Sequence, residues 1–132
     1  MSSILDLGDV GLDDTWEPIT VKGGEEYKLR IVSFLKSVDK NNVEFIMPFF
    51  EVVDEERCKE FGDYLPLPHS GMGEKELNKA RLRISSFLAA FDLGTQIDMD
   101  EDVGKTGWAI LGMGKDQEDQ PVNKVNKYIT GS

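Results

Sequence analysis

From Glu25 to Val38 the chain reads EEYKLRIVSFLKSV, in which Tyr27, Leu29 and Ile31 alternate with Lys28 and Arg30. A period of two sends successive side chains to opposite faces, so the pattern predicts a half-buried strand. Its phase slips at Ile31-Val32, where a bulge lets a long strand bend around a barrel. DKNN then reads as a turn, and VEFIMPFFEVV as a second strand with apolar groups on both faces. One face of such a strand is core and the other meets something else. Pro48 removes a ladder donor, so the strand is expected to be an edge or bulged there. An acidic loop leads into FGDYLPLPHSGMG, a short strand followed by a Pro/Gly turn region.

The period changes in EKELNKARLRISSFLAAFDLG, where Leu77, Ala80, Arg81, Ile84, Phe87, Leu88 and Phe91 recur at helical spacing and Gly94 supplies a stop. Lys79 and Arg83 fall off this stripe, while the stem of Arg81 can lie along it. VGKTGWAILGMGK and QPVNKVNKYIT complete the pattern as two strands joined by the polar loop DQEDQ. Residues 1–24 lack sustained periodicity and end in a Gly23-Gly24 turn, which predicts an N-terminal arm ahead of a domain spanning 25–130. The order is mainly β with one helix, β-β-β-α-β-β. It matches an OB-fold, a five-stranded Greek-key barrel. A different small barrel or an α+β sandwich gives a similar string.

A length of 132 residues suits one core. No long apolar run is present, and the N-terminal MSSILDLGDVGLDD is acidic where a signal peptide is basic and then apolar, so a cytoplasmic protein with no membrane role is expected. The lone Cys58 has no internal disulfide partner and fits a reducing compartment. The net charge of −10 at first argues against a polyanionic partner. Its distribution reverses that. Eighteen of the 25 acids fall in four segments, 6–17, 54–63, 92–102 and 116–119, leaving 13 bases against seven acids elsewhere. Acidic arms and loops surround a mildly basic body.

Gly104-Lys105-Thr106 resembles the end of a phosphate-binding P-loop, but Met99 stands where the first glycine belongs and the following residues alternate as a strand. DMDEDVG resembles the start of a calcium loop, yet counting from Asp98 puts Val103 at the turn glycine and Ala109 at the bidentate glutamate. His69 is the only histidine, so neither a zinc set nor a Ser-His-acid triad can be assembled around it. No enzymatic activity, metal or cofactor is expected.

The remaining chemistry is aromatic rings interleaved with bases on strands, which suits stacking of nucleobases beside phosphate contacts. The candidates are Lys28, Arg30, Phe34 and Lys36 on the first strand, Phe45 and Phe49 on the second, Lys105 and Trp108 on the fourth, and Lys124, Lys127 and Tyr128 on the fifth. A small barrel cannot enclose all these rings, and strict alternation assigns Trp108 and Tyr128 to the outside.

GGEEYKLRIV, the helix ending FLAAFDLG, VGKTGWAIL and QPVNKVNKYI together resemble phage-encoded single-stranded DNA-binding proteins with an OB-fold, over roughly 23–129. The resemblance implies a non-enzymatic protein that coats and protects single strands in DNA replication or recombination, in the host cytoplasm. It also implies replication or recombination proteins, or further copies of the chain, as partners. Many such proteins end in an acidic tail that recruits partners. This sequence ends in KYITGS without one: either such a tail has been trimmed or partners are recruited differently, with the acidic N-terminal arm and its Trp16 as the candidate segment. The competing reading is a protein-binding OB module or assembly subunit without a nucleic-acid role.

Overall fold

The computed structural model describes residues 3–130. A short 3-10 turn, Leu12–Asp14, lies in the N-terminal arm. Strands β1 (Glu26–Val38) and β2 (Glu44–Val52) follow, then two short pieces, β3 (Phe61–Gly62) and β4 (Leu65–Pro66). Helix α1 (Glu74–Ala90) precedes β5 (Thr106–Lys115) and β6 (Pro121–Ile129). All pairings among these strands are antiparallel, in the order β3-β2-β1-β5-β6, with β4 also on β2. The molecule is mainly β with a single helix and an open six-stranded sheet that curls like a barrel.

The third predicted strand is split, and Pro48 explains the split. Its carbonyl accepts a hydrogen bond from the Asp63 amide at 3.0 Å, so its missing N–H lies on the same side, toward β3 and β4. A continuous partner strand has no donor to meet there. β3 therefore pairs with Phe49-Phe50 and β4 with Phe45-Ile46, the chain bending between them. The expected slip in β1 is present as a register shift between Ile31 and Ser33.

Strand residues Leu29, Ile31, Phe50, Val52, Ala109, Leu111 and Val125 form the core, closed by Phe87 of α1 and Phe91 just past its end. Phe50 stacks on Phe91 with centroids 5.2 Å apart, and both approach Tyr128 edge-on. The helix stops before Gly94. Asp92 takes the left-handed conformation (φ 54°), and the amides of Asp92 and Leu93 donate to the carbonyls of Ala89 and Leu88, a Schellman ending.

The two ends of the sheet meet through side chains. Tyr128 of β6 donates to the Asp63 carboxylate just after β3, and Arg83 of α1 bridges Asp63 (3.0 Å) and the carbonyl of Val125 (2.8 Å). Arg83, expected off the apolar stripe, thus ties helix to barrel.

The arm is exposed from residue 3 to residue 19 and is then stitched down. Ile19 bridges Cys58 in parallel, and Val21 exchanges hydrogen bonds with the buried Asn123 side chain at 2.8 and 2.9 Å. Among the described residues no helix is long and apolar enough to cross a membrane.

Candidate nucleic-acid interface

Directly paired residues on neighbouring strands put their side chains on one face, so the register fixes what the outside of the sheet displays. Trp108 pairs with Lys28 on one side and Ile129 on the other; Ile110 pairs with Lys127, and Gly112 with Lys124. Trp108 is 48% exposed, and Lys28, Lys124 and Lys127 are all exposed. This gives one aromatic ring among three lysines across β6, β5 and β1.

Past the β1 bulge the same outer face continues as Ser33, Leu35 and Ser37 opposite Phe49, Met47 and Phe45 of β2. Phe45 packs against Tyr64, ring centroids 4.8 Å apart, and Tyr64 donates its hydroxyl to Asp39 at 2.7 Å. That hydroxyl, aided by the amides of Val43 and Asn41, holds the Asp39 carboxyl below its ordinary range, and Asp39 in turn raises the Tyr64 phenol. The β1–β2 turn therefore fixes the Tyr64 ring. Phe49 lies over Gly62, where an added Cβ would come within 2.9 Å of its ring.

Between the basic and aromatic halves sits a cross-strand ion pair. Arg30 and Glu51 are register partners, and the guanidinium donates to the carboxylate at 2.7 Å. Arg30 is on the expected face, but its charge is already countered.

Several expected residues leave this face. Tyr128 is buried, not outward: the β5–β6 register shifts after Ile110, so Asn126 is an extra residue and Val125 and Tyr128 both turn inward. The bulge breaks the alternation on which the outward assignment rests. Burial first, then the Asp63 charge and hydrogen bond, push the Tyr128 phenol far above its ordinary value. Phe34 turns in as well, meeting Phe87 edge-on at 6.5 Å. Lys36 has the opposite parity to Leu35 and borders a hollow of about 310 Å³ lined by Phe34, Ile46, Ile84 and Met99. Lys105 lies before β5, its ammonium 3.3 Å from both Asp102 and the Asp92 carbonyl.

Lys28, Arg30, Phe45, Phe49, Trp108, Lys124 and Lys127 are brought together; Phe34, Lys36, Lys105 and Tyr128 are not. Tyr64 joins them without having been expected. Its only sequence signal is an aromatic between Gly62 and Pro66, where the broken strand hides any alternation.

The residues of the two imitation motifs have structural work. Gly104 (φ 99°) donates its amide to the Ile31 carbonyl and Lys105 accepts from the Ile31 amide, so the backbone extends beside β1 instead of curling round an anion. The Asp98 carboxylate accepts from the amides of Asp100 and Glu101, which lowers its pKa and holds a turn. His69 accepts the Gly71 amide through Nδ1 in an exposed loop. No protein-family model matches the chain, and no curated protein matches it.

Proposed function

We propose that the chain is an OB-fold protein that binds single-stranded DNA without sequence preference, and that it protects single strands during phage DNA replication or recombination. The observation that carries this reading is the exposed Trp108 ring flanked by Lys28 and Lys127 on adjacent strands. An aromatic face stacks any base, and lysines follow the phosphates whatever the sequence. Strand order supports the OB-fold: β3 and β4 together stand for its third strand, and the helix lies between the third and fourth.

The hairpin loop between β5 and β6 carries Asp116, Glu118 and Asp119. A phosphate chain is repelled there, which favours a path from Trp108 across β1 to Phe49 and the Phe45–Tyr64 pair. From Lys28 to Ser37 that path is roughly 30 Å of strand. Intrinsic fluorescence of Trp108 and Trp16 titrated with oligo-dT at low salt tests the reading: quenching that weakens as salt rises supports it.

The apolar half of the face supports a second reading, a protein-binding OB module. Leu35 is 43% exposed beside half-buried Met47 and Phe45. A sharp oligomer formed without DNA, with Trp108→Ala and Lys127→Ala leaving all binding unchanged, favours that alternative.

A further inference from the structure

A second surface adjoins the face described above and shares Lys127 with it. Helix α1 and the last residues of β6 flank an open cleft of about 420 Å³ lined by Leu82, Ser86, Tyr128, Lys79, Arg83 and Lys127. Leu82 is 58% exposed, the most exposed large apolar side chain outside the N-terminal arm. Among the described residues no acid lines the cleft. Arg83 is paired with Asp63, but among the described residues neither Lys79 nor Lys127 has an ion-pair partner. In a chain of net charge −10 this is an apolar hollow under uncompensated positive charge.

The arm has the complementary chemistry. Ile4, Leu5, Val10 and Leu12 are 60–85% exposed, and none of the described residues covers them. Asp6, Asp9, Asp13 and Asp14 are interleaved with them, and no base precedes Lys22. An apolar segment spaced by acids complements a largely apolar cleft lined by lysines.

We infer that the arm of one copy docks in the α1–β6 cleft of a second copy. The arm is fastened at Ile19 and Val21, beside Cys58 and Asn123 near the start of β6, whereas the cleft lies along the other end of that strand, from Asn126 to Thr130. In the structure the arm is exposed and leaves its own chain's cleft open, so arm and cleft can meet between two copies. Reciprocal exchange of two arms closes a two-fold dimer, and unreciprocated docking builds rings or open chains. The small area involved makes it concentration-dependent and weak. This holds whether or not the chain binds DNA.

Sedimentation velocity over a wide range of protein concentration, without DNA, tests it. The unmodified chain self-associates as concentration rises, and salt weakens the association. Leu5→Asp with Leu7→Asp, or Lys79→Glu with Leu82→Asp, abolishes association while circular dichroism is unchanged, all four positions being exposed. Lys79→Glu alone weakens it, and pairing that change with Asp6→Lys and Asp9→Lys restores it. A chain that stays monomeric throughout overturns the inference, including one whose own arm is protected from protease in the cleft, as does association that every variant leaves intact. Lys79, Leu82 and the arm lie off the outer face, so loss of association is separable from loss of oligonucleotide binding.

Discussion

Glu51 stands on the outer face where its charge opposes a phosphate chain, and it holds the Arg30 guanidinium at 2.7 Å. Both side chains are partly exposed, so the pair itself adds little to stability. Glu51→Gln removes the opposing charge and releases Arg30. Oligo-dT affinity at low salt is expected to rise by roughly 1 kcal/mol, with the log-log salt slope steeper by about 0.7, one added phosphate contact on a single strand. Unchanged affinity and slope contradict a strand path over Arg30. Trp108→Ala acts differently: affinity falls by about 1–3 kcal/mol with the salt slope preserved, because stacking and not charge is lost. Tyr128→Phe is a stability variant. It deletes the hydroxyl bonded to Asp63 and costs about 1–2 kcal/mol near neutral pH. The raised phenol pKa makes the wild-type contribution full below about pH 10, where the unfolded chain begins to ionise, and lost progressively above it. Denaturant melts of the two proteins should therefore converge as pH climbs past that point; a constant gap means that the phenol does not titrate differently in the two states.

At the scale of elements, β5 and α1 meet at Gly107. A Cβ there would lie 2.5 Å from the Ala90 carbonyl oxygen, which is backbone and cannot step aside. Gly107→Ala is expected to destabilise by about 1–3 kcal/mol in chemical denaturation, whereas a neutral change means that the helix end shifts freely. The elements that alternate or repeat cleanly were legible in the sequence. β1, β2, α1, β5 and β6 stand where their patterns put them, because each has one side facing the core. Two things escaped. The third strand is broken by a proline on its neighbour, and a missing donor acts across the ladder, not along the chain. The inward turn of Tyr128 comes from the single extra residue Asn126 in β6, a register event set by pairing with β5. One bulge reverses every assignment beyond it. Hence Trp108, before the shift, could be placed from sequence and Tyr128, after it, could not; Tyr64 was hidden because a two-residue strand has no period.

At the scale of the whole molecule, charge is segregated. Acids fill the arm and the loops at 54–63, 92–102 and 116–119, while the sheet exterior carries Lys28, Lys124 and Lys127 around Trp108. Several of those acids hold turns: Asp98 and Asp116 each accept backbone amides, which lowers their pKa values. On the proposed single-strand-binding reading, negative potential from these loops would keep a polyanion to the lysine-bearing face and oppose the wide footprint of a duplex. The measurement that bears most directly on this account is tryptophan fluorescence of the full chain titrated with oligo-dT at about 50 mM salt, repeated at rising salt. Saturable quenching whose affinity falls with salt, and which Trp108→Ala diminishes, is the predicted result. No binding to any single strand at the lowest salt contradicts it.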